Sequence, residues 1–418
     1  MTIGQRFIDW SRRLGPGLIT GAADDDPSGI ATHSQAGAQF GLQMLWTVVF
    51  TYPLLTAVQS ISARIGRVTG QGLAANMATV FPRWLVSLLV LLLFAANTVN
   101  IGADLLAMGA AAHLLVGGPL FPFALGFAVL SLGLQVFVPY HRYVHVLKWL
   151  TLALFAYVAT VFTLEIDWGA VALATIWPTL EWNTAAFTVI VAIFGTTISP
   201  YLFFWQCAEE VEDEELASAR PLIEAPQDAP AELRRIGWDS VVGMAASSLI
   251  AFFIILTTAV TLHEAGVRSV DTAAQAAEAL RPVAGNFAFL LFSIGIIGTG
   301  LLALPVLAGS SAFAVGELRG WRVGLERKPR EARRFYGVIA AAFLLGLGVT
   351  VAPIDPIKAL FWSAVLNGIV AVPVMIAMLL VAANRKRMGA FVATPLQKFL
   401  GWATVAAMTA AVLVMLIL

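Results

Sequence analysis

The chain has 418 residues, of which 59% are hydrophobic and 12% charged, and its 25 basic and 25 acidic side chains cancel. Soluble domains carry about 25% charged residues, so the composition is that of an all-α polytopic membrane protein, without the basic surplus that nucleic acid attracts. A single cysteine, Cys207, excludes an internal disulfide and leaves too few thiols for a zinc or iron–sulfur cage, and no resident cofactor is expected.

Residues Met1 to Arg13 carry Arg6, Arg12 and Arg13 but no short apolar core with a small-residue cleavage site, so a removable signal peptide is not expected. Apolar windows then give about eleven transmembrane helices. The first runs from Leu14 to Phe40 and is interrupted by Asp24-Asp25-Asp26-Pro27-Ser28-Gly29. The second covers Leu42 to Ala63, and the third, Trp84 to Val116, is so long that it must tilt or extend into water. Phe121 to Val138 and Val144 to Leu164 follow. The sixth, Ala185 to Cys207, is interrupted by Thr196-Thr197-Ile198-Ser199-Pro200. A polar connection from Ala208 to Arg235 begins with Glu209, Glu210, Glu212, Asp213, Glu214 and Glu215 and reads as a solvated helix end and loop, or as a funnel for cations. The remaining spans are Val241 to Leu262, Phe287 to Val315, Tyr336 to Val351, Ala359 to Ala382 and Phe399 to Leu418.

With the N-terminus in the cytoplasm, all the Lys and Arg residues except Arg268, Arg281 and Lys358 fall in cytoplasmic segments. The positive-inside rule thus supports a multi-pass plasma-membrane protein with an internal N-terminus and an external C-terminus. The two spans broken by polar residues and Pro stand five apart, as in a transporter built from inverted repeats. The repeats would occupy about residues 14–164 and 185–382, within one transmembrane domain, and residues 399–418 would be an added helix.

The breaks carry the chemistry. An ionisable side chain in hydrocarbon is kept where water, a partner or an ion compensates it, and a helix interrupted at mid-membrane frees backbone groups to hold one. The first break offers Asp26, Ser28 and the backbone around Pro27 and Gly29; the second offers the Thr196 carbonyl, the Thr197 and Ser199 hydroxyls and the Tyr201 phenol. Every donor is oxygen, which suits a hard divalent cation, and Mg²⁺, which sheds water reluctantly, suits short and mostly uncharged groups. Asp24 and Asp25 either form a vestibule for a hydrated ion or cap a half-helix and pair with Arg. Asn97, Asn100 and Asp104 share a helix face that either bonds neighbouring helices or lines the route, and Asn367 has the same two readings. His141 and His145 have helical spacing but sit among aromatic and basic membrane-edge anchors, His113 and His263 lie at span ends, and Gly295, Gly298 and Gly300 suit close helix packing.

Gly15-Pro16-Gly17, Asp26-Pro27-Ser28-Gly29-Ile30-Ala31-Thr32, Gln35-Ala36-Gly37-Ala38 and Leu45-Trp46 resemble the first transmembrane segment of the NRAMP family of divalent-metal transporters, and Thr196 to Tyr201 resembles its broken sixth. The resemblance implies a LeuT-like fold of five-plus-five inverted repeats, alternating access and a secondary transporter rather than an enzyme. It places the family's metal-binding Asp on Asp26, its Asn on Gly29, its sixth-span Met on Ser199 and its backbone-carbonyl ligand on Thr196. Loss of the Met sulfur is similar to the NRAMP-related magnesium transporter branch, and implies Mg²⁺, and Mn²⁺ as well, as the transported ion. The family's sixth-span histidines fall on Tyr201 and Gln206 and its third-span Glu near Leu106, one register from Asp104, so proton coupling is not expected. The alternatives are a proton-coupled Mn²⁺/Fe²⁺ importer, a Na⁺-coupled amino-acid carrier, which three adjacent Asp residues oppose, and an intramembrane aspartyl protease pairing Asp26 with Asp104.

Overall fold

A computed structural model describes residues 16–138, 147, 150–179 and 181–418, and all regular structure among them is helical. The first predicted span is two helices, α1 (Pro16–Asp24) and α2 (Pro27–Phe40). Pro27, which has no amide hydrogen to leave unpaired, opens α2, and Asp26 caps it by accepting from the Gly29 amide. The chain turns at Gly41 (φ +59°) into α3 (Leu45–Thr69). α4 (Arg83–Val116) has 34 residues and a length of about 51 Å, well beyond a hydrocarbon core of about 30 Å, as the sequence required. α5 (Leu120–Phe137) and α6 (Phe155–Val161) follow.

The sixth span is likewise two helices, α7 (Thr184–Thr197) and α8 (Pro200–Leu216), with Pro200 opening the second half. Then come α9 (Ala229–Thr258), ending in a π-helical turn at Ala259–His263, α10 (Ala288–Arg319), α11 (Arg333–Val349), α12 (Pro356–Ala383) and α13 (Pro395–Ile417). Eight segments among the described residues are long and apolar enough to cross a membrane on their own. The expected eleven differ because Pro27–Thr69 runs on as one segment through the Gly41 turn, α11 has only 17 residues, and the fifth span is represented by the short apolar stretch Leu152–Val161. Residues 1–15, with Arg6, Arg12, Arg13 and Gly15, and the stretch holding His141 and His145 lie outside the described residues.

α1 and α9 run parallel and in register. The Gly17 amide donates to Asp239 Oδ2 at 2.7 Å, Gly21 lies so close to Gly243 that a Cβ would meet that backbone, and Ser247 Oγ donates to Asp24 Oδ2 at 2.5 Å. The contacts repeat every four residues on α9, one per turn. A second close approach joins α7 to α12, where Gly195 faces Gly368. Gly298 and Gly300 pack against Leu150 and Met108, in line with the close packing expected of them.

The acidic connection departs from the solvated reading. α8 carries the helix through Leu216, and Glu209, Glu210 and Glu214 are buried. Arg67 of α3 reaches Glu214 (2.9 Å) and Glu232 (3.1 Å), and Arg235 reaches Glu210 (2.5 Å) and Glu232 (3.3 Å). These ion pairs tie α3, α8 and α9 together at one end of the bundle. Glu210 and Glu214 are compensated by Arg235 and Arg67, distant in sequence, which composition alone does not display, whereas Glu209 Oε1 is buried without a hydrogen-bond partner.

Candidate functional site

The interruption of the first span is confined to Asp25 and Asp26, and that of the second to Ile198 and Ser199. Each ends in a proline-headed helix, and the two breaks meet. Ser28 Oγ lies 3.1 Å from Thr196 Oγ1. Because Ser28 already donates to Asp26 Oδ1 at 2.6 Å, Thr196 is the donor of that contact.

Asp26 is fully buried and its carboxylate is the hub. Oδ1 accepts from Ser28 and from the Gly29 amide (2.8 Å); Oδ2 accepts from Asn100 Nδ2 (3.1 Å) and from the Tyr201 hydroxyl (3.2 Å). Gly29 therefore presents a donor to the carboxylate. Asp26 O accepts from the Ile30 amide (3.2 Å), so the backbone oxygens without an intrahelical donor at this break are those of the last turn of α1, residues 21–24, rather than of the start of α2. A Cβ on Gly29 would stand 3.4 Å from Asp24 O and 3.4 Å from Thr196 Oγ1, in ordinary van der Waals contact with both breaks, so a methyl group would just fill the gap between them.

At the second break Ser199 Oγ donates to Gly195 O and Thr196 O, both at 2.7 Å, and Thr197 Oγ1 donates to Ile193 O at 2.7 Å. Their hydroxyl hydrogens are committed to their own helix, which leaves the oxygen lone pairs as what they can offer a cation. Gln206, two turns into α8, accepts from Thr20 Oγ1 of α1 at 2.5 Å and so links α1 to α8.

The polar face of α4 divides. Asn97 Nδ2 donates to Leu307 O (3.0 Å), Ser310 Oγ (3.0 Å) and Ser311 Oγ (2.9 Å), which makes Asn97 a tie to α10. Asn100 turns to the site. Its Nδ2 lies between Asp26 Oδ2 and Asp104 Oδ2 (3.5 Å), and its Oδ1 accepts from Ser363 Oγ (2.7 Å) and Asn367 Nδ2 (3.5 Å) of α12. Asp104 Oδ1 and Asn367 Oδ1 are buried without a hydrogen-bond partner. The Asn100 amide stands between Asp26 and Asp104, so the two carboxylates do not share a proton as an aspartyl-protease dyad does. Asp24 and Asp25 share the single hydroxyl of Ser247, at 2.5 and 3.1 Å, and Asp24 Oδ1 has no partner. The sequence reading missed Ser247, Ser363 and Thr20. The signal was there: each is a small hydroxyl residue inside an apolar stretch. His33, on α2, is buried with Nε2 unpartnered, whereas His113 and His263 bond the carbonyls of Gly118 and Ala38 at helix ends.

The described residues at the breaks therefore assemble a closed cluster of oxygens around one carboxylate, drawn from α2, α4, α7, α8 and α12. Against this geometry the similarities are consistent. A family model described as "Natural resistance-associated macrophage protein-like" matches residues 17–418. A divalent metal cation transporter MntH of Acidiphilium cryptum is 27% identical over 387 residues, covering 90% of this chain and 83% of its own length. Another, of Caldanaerobacter subterraneus subsp. tengcongensis, is 25% identical over 410 residues, covering 96% and 91%. Among solved structures, the Eremococcus coleocola manganese transporter in complex with an aromatic bis-isothiourea compound superposes with a TM-score of 0.74 at 18% identity, covering 96% of this chain and 86% of that one. The nucleobase-cation-symport transporter Mhp1 gives 0.55 at 14% identity, with 96% and 92% covered. The fold is the expected LeuT-like one with broken first and sixth helices, and the chain belongs to the Nramp family.

Proposed function

We propose that this chain is a plasma-membrane transporter of divalent metal cations, Mg²⁺ foremost and Mn²⁺ as well, working by alternating access without proton coupling. The observation that carries the reading is the 3.1 Å contact between Ser28 and Thr196 beside the Asp26 carboxylate, because it puts donors from both breaks within reach of one ion. Asp26 supplies the charge; Ser28, Thr196, Thr197, Ser199, the Asp24 carbonyl facing Gly29 and the unpartnered Asn367 side-chain oxygen are neutral oxygen donors. One carboxylate and short neutral groups suit an octahedral cation that keeps several waters, and the set contains no sulfur to favour a softer metal. The relatives named as divalent metal cation transporters and as a manganese transporter support the cargo class. Two repeats, about residues 14–164 and 185–382, would rock about this site, with the N-terminus inside and the C-terminus outside. The membrane potential then drives entry with about 4.6 kcal/mol per 100 mV for each divalent ion.

A second reading rests on Asp104. A buried carboxylate with one unpartnered oxygen, one turn along α4 from Asn100, can carry a proton, as a proton-coupled Mn²⁺ importer requires. One experiment separates them: Mg²⁺ and Mn²⁺ uptake into proteoliposomes holding a pH dye, with Asp26→Ala as control. Mg²⁺ entry without acidification, abolished in Asp26→Ala, is the expected result. Parent-like Mg²⁺ uptake in that variant rejects the site, and Mn²⁺ entry with acidification and no Mg²⁺ flux selects the second reading.

A further inference from the structure

Away from the ion site, the connection between α10 and α11 forms a cup of about 340 Å³ walled by Arg322, Arg330, Arg333 and Arg334, with Glu331 the one carboxylate in its lining. These four arginines are exposed and form no ion pair among the described residues, whereas their neighbour Arg327 is bound to Glu215 at 2.7 Å. The cup also contains the start of α11. Its N-cap residue is Ala332, which has no side chain to accept from the first-turn amides. Those N–H groups and the helix dipole therefore add to the guanidinium groups, as at helix termini that hold phosphate.

Next to the cup lies a groove of about 460 Å³ between α4, α10 and α11, lined mainly by apolar residues such as Leu91, Phe94, Leu318 and Val338. Trp321 and Arg334 line both cavities, and the Arg334 guanidinium sits 5.5 Å from the centre of the Trp321 ring. This cation–π contact fixes one charge at the junction of an anion cup and an apolar channel. The connection packs on the end of α8, where Leu325 N donates to Glu212 Oε1 at 2.7 Å. It therefore lies at the same end of the bundle as the Arg67 and Arg235 ion pairs, the end that the arginine-rich connections mark as the inner membrane surface.

We infer that this composite site binds an anionic phospholipid of the inner leaflet, its phosphate in the arginine cup at the start of α11 and one acyl chain in the groove between α4, α10 and α11. A free anion has no use for the groove, and a zwitterionic lipid brings a cation into a cup that already holds four. The lipid would brace α4, which carries Asn100 and Asp104, against α10 and α11.

The test uses the full chain purified in neutral detergent, with thermal unfolding and native mass spectrometry read after adding dioleoylphosphatidylglycerol, dioleoylphosphatidylcholine or inorganic phosphate. Phosphatidylglycerol should raise the midpoint and remain bound to the monomer, and the other two should do neither. The variant R322Q/R330Q/R333Q/R334Q should lose the response, with affinity falling about fivefold per charge removed. Gly337→Trp should lose it with all four arginines intact, because Gly337 lines the groove and a Cβ there meets nothing within 4 Å. R385Q/K386Q, outside the cup, should keep it, and if the fourfold variant does not fold, Arg330→Gln and Gly337→Trp carry the comparison. Retention of the response in Gly337→Trp and the arginine variants, equal stabilisation by phosphatidylcholine or by phosphate alone, or a response that tracks dimer formation would each overturn the assignment.

Discussion

Replacing Tyr201 with Phe removes one hydroxyl from a fully buried position, and with it the 3.2 Å hydrogen bond to Asp26 Oδ2. In the closed cluster that oxygen has two donors, Tyr201 and Asn100, and a cation that takes Oδ2 as a ligand must displace them. A hydrogen bond to a charged group contributes about 1.5–3 kcal/mol. Losing it destabilises the ion-free state and leaves the ion-bound state, in which the bond is already broken, nearly untouched. Binding should therefore tighten, by about 10- to 150-fold at the limits of that range. Turnover should fall, because the ion then leaves Asp26 more slowly and the empty carrier closes less readily. Titration calorimetry of Mg²⁺ and Mn²⁺ against parent and Tyr201→Phe, alongside proteoliposome flux, reads both quantities. If Tyr201→Phe binds either ion more weakly than the parent, the phenol is a ligand rather than a competitor, and the empty site does not close through this bond.

Ser199→Met returns a soft sulfur to the second break, and the Mn²⁺-to-Mg²⁺ flux ratio should rise; an unchanged ratio in a folded variant refutes a selectivity role for position 199. Asn97→Ala removes three bonds to α10 and should lower stability by about 1–3 kcal/mol without changing the ion preference, checked by melting and by competition uptake. Arg67→Ala leaves buried Glu214 without its cation, and a cost of about 3–5 kcal/mol is expected. Adding Glu214→Gln should recover part of that loss in a melting experiment; no recovery means that the pair is not what holds this end together.

Both breaks are legible because proline and a run of polar residues interrupt apolar periodicity whatever the tertiary structure. The identity of the carboxylate hub is legible for the same reason. The α4 face is not. Asn97, Asn100 and Asp104 share one stripe by spacing, yet a stripe wide enough to hold all three faces two neighbours at once. Asn97 meets the Ser310–Ser311 pair of α10, while Asn100 meets Asp26. The acidic run from Glu209 misleads for a related reason. Sequence shows Glu214 beside other acids, but only the fold brings Arg67, at 2.9 Å, to its side. The free carbonyls at the first break belong to the half-helix before it, not the one after, because the capping bond from the Gly29 amide to Asp26 makes the start of α2 a donor end.

The register between α1 and α9 governs which parts can travel together. Gly17 with Asp239, Gly21 with Gly243, and the Asp24–Asp25 pair with Ser247 fasten α1 along its whole length, like rungs. A lone outward swing of α1 would tear all three rungs at once and strand two carboxylates without their hydroxyl. Any stroke that swings α1 about Asp25–Asp26 must therefore either carry α9 along as part of one panel or shear the contacts between the two helices.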